Sequence, residues 1–138
     1  CRKIKGLSDL AKIAIVVSDF NNELTSVMLE TALKEAKKLD LTVKTIAHVP
    51  GCFETPLAVK RVIKKVEGVV VLAAVVKGKT DHDEVVVENA ARKLMDLSLE
   101  YNKPIGFGII GPDASYTVAK KRVREYAQRA VQTVHKML

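Results

Sequence analysis

The chain has little of several residue types, and each shortage excludes a class of protein. It has no Trp and only 4% aromatic residues, and no basic segment is interleaved with aromatics, so we expect no nucleic-acid partner. Two cysteines, Cys1 and Cys52, are too few for a disulfide framework or a cysteine metal site, which favours a reducing, cytoplasmic setting. No apolar run approaches the ~20 residues of a membrane span, so we expect no membrane partner.

What is present fits one globular domain. The 138 residues are 48% hydrophobic and 28% charged, which is ordinary for a folded protein of this size. The formal net charge of +7 is spread over predicted helix surfaces, as expected of solvated helix faces. Residues 1–11 are predicted to form a basic N-terminal arm, and residues 12–138 a single domain.

Strand-like and helix-like segments alternate four times along the chain. The predicted strands are apolar or β-branched and cover residues 12–18, 41–49, 69–76 and 104–110. Helical spacing of apolar residues follows each strand, with the third helix running from His82 to Tyr101. This order predicts an α/β domain, a doubly wound parallel four-stranded sheet with helices on both faces.

Every predicted strand ends in a polar or glycine-bearing turn. In a parallel sheet these turns lie at one edge, where ligands of open α/β sheets bind. All three phenylalanines, Phe20, Phe53 and Phe107, are predicted near this edge. A phenylalanine is usually a core residue, and the placement of all three at this edge slightly raises the odds of a flat, stacking ligand.

The turn after the third strand is a candidate anion site. Gly78, Lys79 and Thr80 match the end of a P-loop signature, but Ala73 stands where its first glycine belongs. A smaller phosphate site is still open, because N–H groups at a helix start bind anions. The alternative is a solvated helix start in which Thr80 is the N-cap.

His82 is the candidate proton-transfer residue. It lies in the first helical turn beside Asp81 and Asp83, where it can titrate near neutrality. The alternatives are an exposed helix histidine, or a metal site with Asp81, Asp83 and Glu84, whose consecutive spacing makes convergence on one ion difficult.

Two further residues follow the second strand. Cys52 is a candidate nucleophile without a histidine partner in sequence, and a buried small residue is the simpler interpretation. Glu54 is a candidate ligand-binding acid or base. Alternatively, it complements the helix dipole from the first turn.

Four motifs in order resemble one family. Phe20 with Asn21, the run from Pro50 to Pro56, the run from Gly78 to His82 and the run from Pro104 to Gly108 are similar to those of 6,7-dimethyl-8-ribityllumazine synthase, also called the riboflavin synthase beta-chain family. The resemblance covers nearly all of the chain after residue 12. The uninterrupted last helix resembles the archaeal members.

The resemblance implies a flavodoxin-like fold and a transferase of riboflavin biosynthesis. It joins 5-amino-6-(D-ribitylamino)uracil to 3,4-dihydroxy-2-butanone 4-phosphate with neither a metal nor another cofactor. It implies His82 as the catalytic proton carrier. The implied contacts to the pyrimidine and its ribityl chain are Phe20, Asn21, Gly51, Cys52, Phe53, Glu54, Val75, Val76 and, from a neighbouring subunit, Phe107. The implied phosphate contacts are Gly78, Lys79, Thr80 and Arg122, with Lys121 as the competitor of Arg122.

The resemblance also implies an assembly. Members form homopentamers with active sites between subunits, and some build decamers or sixty-subunit icosahedral capsids. Cys52, Lys79 and Asp83 depart from the usual family residues. Three alternatives stay open, namely a catalytically silent scaffold of the same fold, a flavodoxin-like phosphate- or nucleotide-binding module, and the related archaeal riboflavin synthase.

Overall fold

The computed structural model describes residues 10–138. Most of the predicted N-terminal arm, residues 1–9, lies outside this range. The main elements are β1 (Lys12–Ser18), α1 (Asn22–Lys38), β2 (Thr42–Val49), α2 (Thr55–Val62), β3 (Gly68–Val76), α3 (His82–Tyr101), β4 (Ile105–Ala114) and α4 (Tyr116–Met137). Short 3-10 turns precede and follow α2, at Cys52–Glu54 and Ile63–Lys65.

The four strands form one parallel sheet in the order β2-β1-β3-β4. β3, with seven of its nine residues buried, lies inside the sheet, as its apolar sequence predicts. The predicted doubly wound α/β fold is confirmed. From β1 the chain adds β2 on one side of the sheet and then β3 and β4 on the other, so the strand order reverses between β1 and β3. The crevice between the carboxyl ends of these two strands is the expected ligand site.

Each face of the sheet carries its own apolar core. On one face α1 and α4 cover alternate residues of β1 and β3, including Ile13, Ile15 and Leu72. On the other face α2 and α3 cover the residues between them, including Val16 and Val71. Successive side chains of a strand point to opposite faces, so β1 and β3 each contribute alternate residues to the two cores.

β4 is longer than predicted. The sequence predicts that Gly111, Pro112 and Asp113 form a turn, but the strand continues to Ala114. Pairing resumes after an irregularity in β3, where the Lys77 N–H donates to the Ala114 carbonyl at 2.7 Å. Gly111 has a φ of 118°, and a Cβ there would lie 2.5 Å from the Val75 carbonyl, so this passage requires glycine.

The longer strand moves Phe107 away from the predicted edge. Phe107 pairs with Val71 in the middle of β3 and is the third of the ten residues of β4. The prediction that all three phenylalanines lie near the carboxyl edge is therefore wrong for Phe107. The ring is half exposed on the outer strand of the sheet.

Helix α4 accounts for Gly106, the first glycine of β4, because a Cβ there would overlap the backbone carbonyl of Ala130. A Cβ on Gly108 would lie 2.9 Å from the Val71 carbonyl and the Leu72 side chain of β3, and 3.2 Å from the Ala130 side chain of α4. Ser115 caps α4 by accepting a hydrogen bond from the Val118 N–H at 3.2 Å. No helix within residues 10–138 has the length and apolar character needed to cross a membrane.

Candidate active site

A cleft of about 440 Å³ opens at the carboxyl edge of the sheet, on the face covered by α2 and α3. Its volume is within the range of small-molecule sites. The lining residues are Phe20, Gly51, Cys52, Phe53, Glu54, Val75, His82, Val85 and Val86. Seven of these nine are sequence-predicted site residues, brought together from four separate segments.

The turn after β1 presents Phe20 to the cleft. Its backbone N–H donates to the Pro50 carbonyl at 3.0 Å, which joins this turn to the one after β2. Asn21 has a φ of 59°, and its side-chain amide donates to the Ala74 carbonyl at 2.7 Å instead of capping α1. The Phe20 ring is left 65% exposed, an unusual position for a large apolar side chain unless something covers it.

The turn after β2 supplies a second exposed ring and an acid. Phe53 is 61% exposed, and Glu54 is exposed beside it. A Cβ on Gly51 would lie 3.3 Å from the Glu54 Oε1 atom, so the carboxylate lies over the glycine backbone. We call Phe20, Phe53 and Glu54 the aromatic end of the cleft.

Cys52 lies below these residues as a buried thiol. Burial, and secondarily the negative charge of Glu54, raises the pKa of the Cys52 thiol to about 12. The thiol is therefore protonated near neutrality, and the thiolate that nucleophilic chemistry requires is scarce. The structure favours the packing interpretation of Cys52 over the nucleophile.

Helix α3 forms the opposite wall of the cleft. His82 is exposed in its first turn and reaches the cleft with Val85 and Val86. The Thr80 hydroxyl accepts a long hydrogen bond, 3.4 Å, from the His82 N–H, whereas the N-cap position itself is Asp81, whose side chain makes no capping bond. The predicted capping role of Thr80 is thus present only in a weak form.

Residues 77–82, the charged turn, lead from β3 into this wall. Gly78, Lys79 and Thr80 are exposed beside the cleft but do not line it. A Cβ on Gly78 would meet no atom within 4 Å, so packing within the chain does not require glycine there. Lys79 has no ion-pair partner among residues 10–138, which leaves its charge available to an anion.

Lys77 is differently placed. Its ammonium donates to the Asp113 carboxylate at 2.9 Å. This hydrogen bond, and the charges of Asp113, Asp83 and Asp81, raise the pKa of Lys77 above its ordinary value. The positive charge of Lys77 is thus already paired with Asp113 of β4, whereas that of Lys79 is not, so the two lysines of this turn have different roles.

Four predicted residues lie outside the cleft of the single chain, in addition to those of the charged turn. Asn21 and Val76 flank it from the backbone side. Phe107 lines a separate hollow against α3, and Arg122 lies on α4, which packs on the other face of the sheet. The Arg122 guanidinium is 3.4 Å from Glu125, which also pairs with Arg129 at 2.6 Å. Lys121, its competitor, is exposed on the same helix.

Sequence reasoning missed three residues here. Val85 and Val86 match the apolar stripe of α3 and are predicted as core, yet both line the cleft. Asp83 is buried, which its charged neighbours do not suggest. Within residues 10–138 no group of three His, Cys, Asp or Glu side chains could hold a metal ion, so the metal interpretation of His82 has no support there.

Comparison with known proteins gives one consistent family. Residues 10–138 match the family profile of 6,7-dimethyl-8-ribityllumazine synthase. The chain is 50% identical over 131 residues to the protein of that name from Staphylothermus marinus, covering 94% of this chain and 87% of the relative. It is 51% identical over 132 residues to the one from Aeropyrum pernix, covering 94% and 90%. For the one from Metallosphaera sedula the identity is 48% over 128 residues, covering 91% and 85%. The chain therefore belongs to the 6,7-dimethyl-8-ribityllumazine synthase family.

Proposed function

We propose that the cleft is where this chain carries out the reaction of its family. The chain is a transferase of riboflavin biosynthesis, which condenses 5-amino-6-(D-ribitylamino)uracil with 3,4-dihydroxy-2-butanone 4-phosphate to 6,7-dimethyl-8-ribityllumazine. Inorganic phosphate and water are released. The observation that carries the placement is an exposed aromatic end that lines the cleft, with the charged turn and its unpaired Lys79 exposed beside the same cleft.

The aromatic end is proposed to hold the pyrimidine. Exposed rings at Phe20 and Phe53 offer flat apolar surface, and aromatic stacking contributes about 0.5–1.5 kcal/mol beyond burial. Glu54 is the acid available to accept hydrogen bonds from ribityl hydroxyls. Backbone groups of Gly51, Val75 and Val76 supply further polar contacts at the ends of β2 and β3.

The charged turn is proposed to hold the phosphate of the second substrate. Lys79 supplies an unpaired positive charge, and Thr80 an exposed hydroxyl. The open space at Gly78 lets a phosphate approach the backbone closely. Arg122 is the proposed additional cation, and it must come from another copy, because α4 lies on the far face of its own sheet.

His82 is proposed to move protons between the two substrates. It is the residue of the charged turn that lines the cleft together with the aromatic end, and its exposure allows exchange with solvent. The condensation needs proton transfer when the amine adds to the ketone, when phosphate leaves and when the ring closes. An imidazole can both accept and donate a proton, so one residue can serve all three steps.

The test is product formation. The purified protein is mixed with both substrates, and the lumazine is followed by absorbance against the uncatalysed reaction. Clear acceleration is expected. A protein that assembles normally without acceleration would contradict the proposal and favour the scaffold or the phosphate-binding module.

A homopentamer with shared active sites is proposed for the assembly. In its support, Met95 of α3 and Phe107 of β4 are large exposed apolar side chains that line one hollow, and Leu99 is exposed on the same helix. Such a face at an outer strand is typical of a subunit contact. A neighbouring subunit bound at this face would bring some of its own residues close to the cleft. Phe107 and Arg122 are the candidates for residues that a neighbour contributes to the site.

Subunit mixing tests the shared site. His82→Ala and Arg122→Ala proteins are dissociated, mixed in equal amounts and reassembled. If each site combines His82 of one subunit with Arg122 of the next, about a quarter of the sites regain both residues, and activity rises accordingly. No recovery on mixing would place both residues in one subunit.

Native mass spectrometry gives the size of the assembly. A pentamer is the expected unit, and the decamer and the sixty-subunit capsid are the larger outcomes. The cytoplasm is the proposed location, an expectation that rests on the low cysteine content of the sequence.

A further inference from the structure

Asp83 is a buried acid with no role in the reaction described above. It lies in the first turn of α3 and is only 3% exposed, although acids are seldom buried without a partner. Its Oδ2 atom accepts a hydrogen bond of 2.9 Å from the backbone N–H of Asp113. This bond joins the start of α3 to the end of β4, across 30 residues of sequence.

Asp113 makes a second connection with its side chain. Its carboxylate accepts a hydrogen bond from the Lys77 ammonium at 2.9 Å, and Lys77 is the residue where β3 passes into the charged turn. Asp113 therefore contacts the residues on both sides of positions 78–82. Its backbone is in the left-handed region, with a φ of 63°.

We propose that Asp83 is a positioning residue that holds residues 78–82 in the conformation that binds phosphate. It does so by fixing Asp113, which in turn binds Lys77, and we call these three residues the clamp. This inference rests on the proposed role of the charged turn as the phosphate site. Between the two fixed ends lie Gly78, Lys79, Thr80 and His82, none of which has a strong contact elsewhere within residues 10–138. Without the clamp, these residues would keep their chemistry but lose their common geometry.

A second observation argues against a purely stabilising role. The Asp83 Oδ1 atom is buried and has no hydrogen-bond partner within residues 10–138. A buried polar atom without a partner is destabilising. Costly groups of this kind are typical of functional sites, where geometry is maintained against the local preference.

The test compares Asp83→Ala, which loses the acceptor, with Asp83→Asn, whose amide oxygen can still accept from Asp113. Steady-state kinetics are measured with each substrate varied in turn. Asp83→Ala is expected to raise KM for the butanone phosphate roughly tenfold, in line with the loss of one hydrogen bond to a charged group. KM for the pyrimidine should change by less than about twofold, and Asp83→Asn should restore most of the loss.

Glu84→Ala is the matched control, because it removes the same charge from the same helical turn at an exposed position. It should leave both KM values unchanged. Wild-type behaviour of Asp83→Ala would overturn the inference. So would equal rises in both KM values accompanied by a lower melting temperature, or a failure of Asp83→Asn to rescue.

Hydrogen exchange provides a readout that does not require turnover. In the substrate-free protein, Asp83→Ala should accelerate amide exchange by roughly tenfold at Asp113 and at the hydrogen-bonded amides that flank residues 78–82, whereas Asp83→Asn should not. These flanking amides are Lys77, whose N–H donates to the Ala114 carbonyl, and Glu84 and Val85, whose N–H groups donate to the Asp81 carbonyl. Unchanged exchange in Asp83→Ala would overturn the clamp. If the wild-type protein shows no turnover but exchange changes as expected, the proposed function fails and the clamp stands.

Discussion

The two sides of the cleft are held in place in different ways. At the aromatic end, backbone hydrogen bonds join the turns, as between the Phe20 N–H and the Pro50 carbonyl, and the Asn21 amide adds one side-chain bond to the Ala74 carbonyl. The side chains that line the cleft there, Phe20, Phe53 and Glu54, are left exposed. At the charged turn, side chains fix the backbone, through Asp83, Asp113 and Lys77. The conformation of the aromatic end therefore depends mainly on backbone hydrogen bonds, whereas that of the charged turn depends on the side chains of Asp83 and Asp113, which a single substitution can remove.

This difference predicts which substrate each change affects. Variants at the aromatic end should affect the pyrimidine, and variants around the charged turn should affect the phosphate-bearing substrate. A change that moved both equally would mean that the cleft acts as a single unit.

The largest effect is expected for Arg122→Ala. Loss of a charge-assisted contact to phosphate should raise KM for the butanone phosphate by about 10²-fold, with little change for the pyrimidine. Lys121→Ala is the matched comparison, because it removes a neighbouring exposed charge from the same helix. If Lys121→Ala gives the larger rise, Lys121 is the phosphate ligand. Steady-state kinetics with each substrate varied decide between them.

His82→Ala should lower kcat by about 10²-fold or less, because proton transfer by one residue contributes about that much. His48→Ala is the control. His48 is also exposed at the carboxyl edge of the sheet, but its Nδ1 lies 3.2 Å from an Asp19 carboxylate oxygen and it does not line the cleft. Equal losses in kcat for both variants would remove the special role of His82.

Phe20→Ala should raise KM for the pyrimidine by roughly tenfold, since about 1 kcal/mol of stacking and some apolar contact are lost. Phe20→Tyr keeps a flat ring at the same position and should retain most of the affinity. KM for the butanone phosphate should stay within about twofold in both variants. A Phe20→Tyr protein as weak as Phe20→Ala would show that the ring does not stack.

The smallest effect concerns Cys52 and pH. Burial raises the pKa of the Cys52 thiol from its ordinary 9.0 to about 12, so the thiol stays neutral in the folded chain while it ionises in the unfolded chain. The stability from Cys52 is complete below pH 9 and falls above it, by up to about 1.4 kcal/mol per pH unit. Denaturant unfolding at pH 8 and pH 10 measures the fall in a Cys1→Ser background.

Cys52→Ala in the same background is the control, because it isolates the thiol from the lysines that titrate in the same range. The fall between pH 8 and pH 10 should be smaller in Cys52→Ala. An equal fall in both proteins would mean that the thiol ionises alike in the folded and unfolded chains.

Much of the fold could be predicted because its signals are local. β1 and α3 have the predicted bounds, Lys12–Ser18 and His82–Tyr101, since apolar runs and helical periodicity depend on neighbouring residues. The end of β4 was missed for the same reason. Gly111 and Pro112 are local breakers of structure, whereas the pairing that continues the strand comes from Lys77, 37 positions away from Ala114.

The site residues also fall into those that local sequence predicts and those that depend on distant contacts. The turn positions of Phe20, Phe53 and His82 follow from the strand–helix order, which places them at one edge. The burial of Asp83 follows from its contact with Asp113, and the location of Arg122 on the far face follows from which helices share a side of the sheet. Neither is encoded in the spacing of nearby residues.

The most direct measurement is the pair of KM values, one for each substrate, in Phe20→Ala and Arg122→Ala side by side, with lumazine absorbance as the signal. Two specialised ends predict a crossed pattern, in which Phe20→Ala raises only the pyrimidine KM and Arg122→Ala raises only the butanone phosphate KM. If both variants raise the same KM, or both KM values together, the division of the cleft between the two substrates is contradicted.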